Sequence, residues 1–464
     1  MRAASFLTVL LVTPLLITGC WGPVNGTLEG GSASAGVPVE SIDDELRSSD
    51  APFEYDTLLP VVVSIQVYLT DDGGALLPAE AAPVFVSLRD SEKNELLSGA
   101  ADETGHFLAT MPLPGAYEDI SVSLRAPGFV ERELVVEDMV RYAVVSRTIV
   151  LQAEGGPLGA SAISSLADTD GDGVPDIYDD YPTKKEVAFK KKPVGGGWLT
   201  IAFEDNFPEV GDGDFNDFIA RYYAVEALSK TKARVKVSGE VEAIARVAGY
   251  DHRFGILFGH PGYRSEFSVT HYDSEGNPVS QRSGTGSGYS NLVMFESTKG
   301  AFDRPGGVTV DNGYPDRLDS RGHSATFSIQ LFTKIQKPPI EVKETEPVKQ
   351  QIQEEKKKVK KKYLAIEPPY DPYLYIHDTT FDVHRPGMSS LPDGLSNNPS
   401  GFDGFLDDEG YPRGLLVPTN WGYPIEMRHI ELAYPGFALW RSSGGETNSD
   451  WYLYPEEQHV IFIE

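Results

Sequence analysis

Acidic residues cluster at two places in the chain, and the spacing of the first cluster is that of a cation site. Counted from Asp168 as position 1, carboxylates fall at positions 1, 3, 5, 9 and 12, and a glycine falls at position 6. Calcium takes about six to eight oxygen ligands, and alternate residues of a tightly curled loop can all point inward. Glycine permits the sharp turn, and the main-chain carbonyl at position 7 adds a ligand. The predicted ligands are Asp168, Asp170, Asp172, Val174 through its carbonyl, Asp176 and Asp179.

The residues around this loop indicate which kind of calcium loop it is. An EF-hand usually has Glu at position 12, whereas this loop has Asp, and residues 155–167 lack a helix pattern. The pattern D-x-D-x-D-G-x-x-D-x-x-D, closed by Pro182, instead resembles a thrombospondin type 3 repeat. Those repeats usually carry disulfides, and this chain has a single cysteine. We therefore expect residues 163–184 to form a calcium-stiffened hinge, the alternative being a solvated acidic linker.

The second acidic cluster lies at residues 203–217 and holds six carboxylates without a Lys or Arg. Without a cation these groups would repel one another, and some of their pKa values would rise. Every candidate ligand is an oxygen atom, which favours calcium and gives the chain two predicted calcium sites. The alternative is an acidic surface turn held by backbone amides. The predicted ligands are Glu204, Asp205, Asp212, Asp214, Asn216 and Asp217.

The N-terminus has the pattern of an export signal. Met1 and Arg2 precede an apolar stretch at residues 3–17, shorter than the roughly 20 residues that span a bilayer. Ile17-Thr18-Gly19-Cys20 resembles the lipobox of bacterial lipoproteins, which implies cleavage of a signal peptide at 1–19 and a lipid on the Cys20 sulfur. A chance cysteine in a secreted protein is the alternative. Lipidation would account for the one cysteine.

The composition and the segments after Cys20 indicate where the protein resides. Residue 21 is Trp rather than the Asp that often signals inner-membrane retention, so we expect a lipid anchor in the outer membrane. Residues 20–56 are rich in Gly, Ser, Ala, Asp and Glu and are predicted to form a flexible tether. The formal net charge of −29 argues against a nucleic-acid partner.

Gly, Pro and aromatic residues are abundant, which predicts a mostly β fold with many turns. We expect an N-terminal β-sandwich at 57–152, the calcium-loop hinge, and a larger sandwich or jelly-roll-like domain at 197–464. Alternating apolar residues support the first sandwich. They are Val61, Val63, Ile65, Val67 and Leu69, then Val84, Val86 and Leu88, then Ile120, Val122 and Leu124. The segments at 101–107 and 126–129 resemble carboxypeptidase-regulatory-like domains, which implies a structural module.

The C-terminal region carries a further resemblance. The motif F-E-D…P…G-D-x-D-F-N-D at 203–217, followed by Arg221 and Tyr222, resembles the start of the LruC domain of bacterial lipoproteins. Later landmarks follow in order at 368–373, 384–387, 414–418, 421–426, 433–437 and 450–452. The resemblance covers 197–464 and implies a β-rich domain without established enzymatic activity. A Lys- and Glu-rich insertion at 335–369 interrupts it and is predicted to be solvated, the alternative being an electrostatic contact.

These features together predict a cell-envelope lipoprotein with a calcium-stabilised structural or adhesive role. Its expected partners are the membrane, through the lipid anchor, and a protein or glycan ligand. We find no nucleophile elbow, zinc-protease motif or phosphate-binding loop, and His377, His384, His429 and His459 are interpreted as surface or packing residues. A calcium-dependent carbohydrate-binding protein is the main alternative, because Trp421, Trp440 and Trp451 could stack on sugars. A core role for these rings is preferred, and a metal-dependent hydrolase is the third candidate.

Overall fold

The computed structural model describes most of the chain beyond its N-terminal segment. The described residues are 38–46, 53, 55–116, 119–155, 166–192, 197–303, 310–315, 322–334, 370–392, 394–399, 401–418 and 421–462. The predicted signal peptide at 1–19, the predicted lipidation site Cys20, most of the predicted tether and the insertion at 335–369 lie outside them. No helix within these ranges is long and apolar enough to cross a membrane.

The described residues confirm the predicted mostly β fold. The strands up to residue 191 are β1 (Ser41–Ile42), β2 (Glu45–Leu46), β3 (Leu58–Thr70), β4 (Leu76–Leu77), β5 (Phe85–Arg89), β6 (Glu95–Ala100), β7 (His106–Pro114), β8 (Ile120–Arg125), β9 (Arg132–Val136), β10 (Tyr142–Gln152) and β11 (Phe189–Lys191). The later strands are β12 (Leu199–Phe203), β13 (Phe218–Leu228), β14 (Arg234–Val247), β15 (His252–Tyr272), β16 (Pro278–Phe295), β17 (Val310–Asp311), β18 (Ser324–Lys334), β19 (Asp371–Ile376), β20 (Asp382–Val383), β21 (Gly414–Val417), β22 (Tyr423–Pro424) and β23 (Val460–Ile461).

Helices are short in the described chain. The α-helices are α1 (Ile430–Ala433) and α2 (Pro435–Ser442). Single 3₁₀ turns occur at Ala79–Ala81, Met139–Arg141, Asp176–Tyr178, Lys299–Ala301, Trp451–Leu453 and Glu457–His459.

The first part of the chain forms a two-layer sandwich. One layer contains β3 and β10, which run parallel, flanked by β1, β2, β4 and β7. The other layer is formed by β6, β5, β8 and β9 in that order. The apolar alternation in the sequence predicted which side chains face the core. Val61, Val63, Ile65, Val67 and Leu69 of β3 are all buried there, with the corresponding residues of β5 and β8.

The second layer continues into a large sheet that carries the C-terminal region. Strand β11 bridges the two parts, since Lys191 pairs with Leu97 of β6 and Phe189 pairs with Leu228 of β13. The sheet then runs through β14, β18, β15, β19 and β20, with β16 as a further neighbour of β15 and β21 paired with β12. Side chains from β12, β13, β14, β15, β18 and β19 share one core, so the sheet curves around it.

A helical cap at residues 421–461 covers the opposite face of β12 and β13. Its core packs Trp421, Trp440 and Trp451 against Phe215 and Ile219 of the sheet side. The cap consists of α1, α2, the 3₁₀ turns and the small β22–β23 pair.

The acidic segment that follows β10, described from residue 166, packs against the first sandwich. The Val174 side chain is buried in the first core, and the Tyr178 ring stacks on Phe85 with a centroid distance of 4.2 Å. Asp180 forms an ion pair with Lys190 of β11 at 2.7 Å. The described part of 163–184 is therefore packed against the first sandwich. Apolar residues inside the acidic motif enter the core, and the calcium-stiffened hinge stays a prediction.

Candidate metal centres

The second acidic cluster forms the loop between two adjacent antiparallel strands. Phe203, the last residue of β12, pairs with Phe218, the first residue of β13, so the ends of the 204–217 loop are held together. One carboxylate oxygen from each of Glu204, Asp212 and Asp214 lies within 4.8 Å of the other two. Calcium binds oxygens at about 2.3–2.6 Å, so two ligand atoms of one ion can lie up to about 5 Å apart. The three carboxylates therefore fit one ion.

Two buried oxygens in this loop have no hydrogen-bond partner in the described structure. Glu204 is 3% exposed; its Oε1 accepts a hydrogen bond from the Phe215 amide at 2.6 Å, whereas its Oε2 is unpaired. Asn216 is fully buried, and its Oδ1 is also unpaired. A buried acceptor without a partner costs about 1–3 kcal/mol. A cation among these oxygens would remove that cost.

The electrostatics of the loop also favour a cation. Burial and the nearby Asp212 carboxylate raise the pKa of Glu204 to about 7. Burial, with Glu204 and Asp212, raises the pKa of Asp214 to about 9. At neutral pH Asp214 therefore holds a proton in the absence of an ion. A bound divalent cation would take the place of such protons and supply the missing positive charge.

Three hydrogen bonds to main-chain groups of the C-terminal cap hold the cap against the loop. The Met427 amide donates to Asp214 Oδ2 at 2.7 Å, and the Ile430 amide donates to the Gly213 carbonyl at 2.7 Å. Asn216 Nδ2 donates to the Pro424 carbonyl at 3.3 Å. The site thus lies at the junction of the sheet and the cap.

Glu426 is a candidate ligand that the sequence analysis did not include. Burial and the charge of Asp212 raise the pKa of its carboxyl, and it shares a hydrogen bond with Asn216. The residue lies far along the chain from the loop, so no local spacing connects the two. Its place in the 421–426 landmark of the LruC resemblance was the one available signal.

Two predicted ligands of this cluster have other partners. Asp205 Oδ2 lies 2.9 Å from His252 Nε2, and the His252 Nδ1 lies 3.0 Å from Thr298 Oγ1. Asp217 Oδ2 accepts a hydrogen bond from the Asp205 amide at 2.7 Å. Neither carboxylate joins the group formed by Glu204, Asp212 and Asp214. We assign Asp205 and Asp217 to holding the two ends of the loop in place.

The first cluster also gathers three carboxylates. Asp168, Asp170 and Asp172 each place an oxygen within 4.8 Å of the other two. Asp170 Oδ2 and Asp179 Oδ2 are buried and lack a hydrogen-bond partner in the described structure. Burial, reinforced by Asp172 and Asp170, raises the pKa of Asp179 to about 6. The Asp179 carboxyl group therefore lies close enough to Asp170 and Asp172 for their negative charges to raise its pKa.

The remaining predicted ligands of the first loop have structural contacts. Asp176 accepts hydrogen bonds from the Thr169 amide at 2.8 Å and the Thr169 hydroxyl at 2.7 Å, and these lower its pKa. It lies outside the gathered group and closes the loop instead. The Val174 amide donates to Asp172 Oδ1 at 2.7 Å, and its buried side chain fixes the peptide that carries the predicted carbonyl ligand.

Gly213 allows the second loop to approach the cap, and its replacement by Ala is expected to destabilise the protein. Its φ is +73°, and a Cβ atom would lie 2.4 Å from the His429 ring. Gly276→Ala is a matched control, since its φ is +82° but nothing lies within 4 Å of the added atom. Urea unfolding should show a loss for Gly213→Ala about 1–3 kcal/mol larger than for the control. Equal losses would show that His429 moves aside freely.

Comparisons with known proteins find that part of the chain is similar to a described family. A family model described as "Domain of unknown function (DUF4842)" matches residues 233–452, from the start of β14 to the 3₁₀ turn at Trp451. This range includes the cap up to residue 452 and neither acidic loop. No curated protein sequence matches the chain.

Two solved structures show the degree of similarity in three dimensions. The chain is similar to a crystal structure of a "putative lipoprotein" from Bacteroides ovatus, with 12% sequence identity, a TM-score of 0.49, and coverage of 81% of this chain and 98% of the other. A structure described as concerning carbohydrate-binding modules of the β-sandwich superfamily matches with 8% identity, a TM-score of 0.13, and coverage of 60% and 94%.

Proposed function

We propose that this protein is a lipid-anchored lipoprotein of the bacterial envelope, stabilised by two calcium ions and serving a structural or adhesive role without catalysis. One observation carries the calcium part of the proposal: Glu204, Asp212 and Asp214 converge, and the buried Glu204 Oε2 and Asn216 Oδ1 have no hydrogen-bond partner among the described residues. The oxygen-only ligand set favours calcium over softer metals. The first loop repeats this chemistry with Asp168, Asp170 and Asp172.

The positions of the two sites support a stabilising role. At the second site, the loop between β12 and β13 meets the cap through Met427 and Ile430, so an ion there would join sheet and cap. At the first site, Lys230 of the β13–β14 turn donates to the Asp172 carbonyl at 2.7 Å. An ion in either loop would therefore hold together segments that are distant in sequence. Such cross-links make a projecting domain more rigid.

The carbohydrate-binding alternative loses the residues on which it depended. Trp421 is 3% exposed, and Trp440 and Trp451 are each 1% exposed. An aromatic platform for a sugar must present a ring face to solvent, and these rings instead pack against one another in the cap. We therefore correct the ligand-binding interpretation of the three tryptophans to a role in the core, the role that the sequence analysis preferred.

The envelope location is supported by the sequence. Ile17-Thr18-Gly19-Cys20 has the lipobox pattern, and Cys20 is the only cysteine in the chain. Two or three acyl chains would hold the protein on a membrane without a spanning helix. Radiolabelled palmitate incorporated into the expressed parent, but not into Cys20→Ser, would support this part of the proposal. Equal labelling of both would contradict it.

Calcium is expected to raise the thermal stability of residues 21–464 after removal of divalent ions by a chelator. At about one hundred times the dissociation constant, each site would contribute about 2.7 kcal/mol. Asp214→Asn and Asp170→Asn should each lose part of the calcium-dependent rise in melting temperature. Asp119→Asn is the control, since Asp119 is an exposed acid outside both clusters.

Differential scanning calorimetry with and without calcium provides the measurement. A melting temperature that calcium leaves unchanged in the parent would contradict stabilisation at both sites. A loss of the calcium effect in the Asp119→Asn control would show that general charge, rather than the two clusters, is responsible.

A further inference from the structure

A cavity of about 300 Å³ lies between the first sandwich and the C-terminal sheet. Strands of both parts line it, together with the β13–β14 turn and an irregular stretch of β15 near Pro261. Its apolar lining includes Leu97, Leu108, Leu228, Pro261 and Leu331. The volume is at the lower end of ordinary small-molecule sites, about 300–1,000 Å³. An apolar group of modest length would fit among these side chains.

The charged groups around the cavity are mainly cationic. Lys191, Lys232 and Arg234 line it, and Glu226 is the acidic residue among the lining side chains. Glu226 is 1% exposed and already neutralised, because it forms an ion pair with Arg234 at 2.6 Å and accepts a hydrogen bond from the Tyr370 hydroxyl at 2.8 Å. Lys191 also has an interaction partner, which leaves the ammonium group of Lys232 at this cavity in a chain whose net charge is −29.

Lys232 is the group best placed to receive an anion. Its Nζ donates to the Leu108 carbonyl at 3.3 Å and lies 4.6 Å from the centre of the Phe107 ring. No carboxylate among the described residues forms an ion pair with it. Burial lowers its pKa, so its charge is incompletely solvated. An anion at this position would accept a charge-assisted hydrogen bond from the ammonium group and so compensate for its loss of water contacts.

The histidine that borders the cavity has its hydrogen-bonding groups occupied. His260 is 4% exposed, with Nε2 2.7 Å from Ser290 Oγ and Nδ1 3.3 Å from the Tyr263 carbonyl. It therefore offers no free nitrogen to a ligand. This favours binding of a ligand in the cavity over catalysis.

We propose that this cavity binds an alkyl carboxylate, with the carboxylate on Lys232 and the alkyl chain among Leu108, Leu228 and Leu331. Two observations point to this ligand class: the leucine-rich lining accepts an unbranched apolar chain, and the ammonium group of Lys232 supplies the charge opposite to that of a carboxylate. The volume favours a chain of medium length over a long membrane lipid. The proposal is independent of calcium.

Calorimetric titration of octanoate into residues 21–464 tests the proposal. We expect saturable binding at one site, both with calcium and with chelator present. Lys232→Gln should weaken the affinity about tenfold, as for loss of one charge-assisted hydrogen bond. Lys236→Gln is the control, because Lys236 is exposed on β14, shortly after Lys232 in the chain, and does not line the cavity. Circular dichroism of each variant would confirm that its fold is retained.

Octylamine serves as the probe of opposite charge. It should bind at least tenfold more weakly than octanoate, because its ammonium group would face Lys232. The proposal is overturned if octanoate shows no saturable binding to the parent, if octylamine binds equally well, or if folded Lys232→Gln retains the parent affinity.

Discussion

Replacing His384 with Ala is expected to lower the free energy of unfolding by about 3–5 kcal/mol, the usual effect of removing one partner of a buried ion pair. The His384 ring is fully buried between two carboxylates. Its Nδ1 lies 2.9 Å from Asp371, and its Nε2 lies 2.8 Å from Asp382. Asp371 is 1% exposed and Asp382 is fully buried. Without the imidazolium, two negative charges would remain buried without their cation.

The neighbouring His377 supplies the control for this substitution. His377 is exposed, and its ring contacts the Glu296 carbonyl at 2.9 Å. His377→Ala should therefore change the free energy of unfolding by less than about 1 kcal/mol. Urea titrations of the two variants would provide the comparison. A His384→Ala protein as stable as His377→Ala would show that the buried triad does not stabilise the fold.

The same triad predicts a pH dependence of stability. Burial alone would lower the pKa of His384, but Asp371 and Asp382 outweigh it and raise the pKa to about 9. The folded protein therefore holds this proton more tightly than the unfolded chain, whose histidine pKa is about 6.5. The contribution is fully present below about pH 6.5 and is lost as the pH rises through about 9. His384→Gln should remove this part of the parent's pH dependence, as measured by denaturant unfolding at pH 6 and 9.5. An unchanged dependence would contradict the assignment.

Replacing Trp451 with Ala is expected to cost about 3–5 kcal/mol of stability, as is usual for deletion of a buried aromatic side chain. The Trp451 ring centre lies 5.0 Å from that of Phe437, 5.2 Å from Tyr434 and 5.7 Å from Trp440. Its loss would open a cavity in the centre of the cap. The cap also supplies the Met427 amide that binds Asp214, so weaker calcium binding should accompany the lower stability.

Tyr454 lies close to Trp451 in sequence but is 65% exposed, which makes Tyr454→Ala the matched control. Its substitution should change the unfolding free energy by about 0.5 kcal/mol or less. Chemical denaturation monitored by far-ultraviolet circular dichroism would compare the two variants. A Trp451→Ala protein with parental stability would contradict the core role and return the ring to consideration as a ligand-binding residue.

Local sequence patterns predicted much of this molecule. The alternation along β3 correctly predicted which residues from Val61 to Leu69 are buried, because alternate side chains of a strand point toward the core. The tight spacing of Asp168, Asp170 and Asp172 predicted their convergence, since a curled loop brings alternate residues together. The clustering of Asp212 and Asp214 was predicted for the same reason.

Features that depend on distant pairings were not predictable in this way. Glu426 reaches the second loop, and His384 meets Asp371, only after the sheet and cap have assembled. Asp205 has the residue type and spacing of a ligand, but the folded chain brings His252 of β15 within hydrogen-bond distance of its carboxylate. The tryptophans of the cap could have been a binding surface or a core, and only the packing of residues 421–461 against β12 and β13 decides between them.

Calorimetric titration of calcium into chelator-stripped residues 21–464 tests the central claim most directly. Two binding events are predicted for the parent, with one lost in Asp214→Asn and the other lost in Asp170→Asn. Because the folded protein gathers three carboxylates at each site, each loss should leave the remaining event unchanged. Absence of calcium binding in the parent, or retention of both events in both variants, would contradict the assignment of these two clusters as calcium sites.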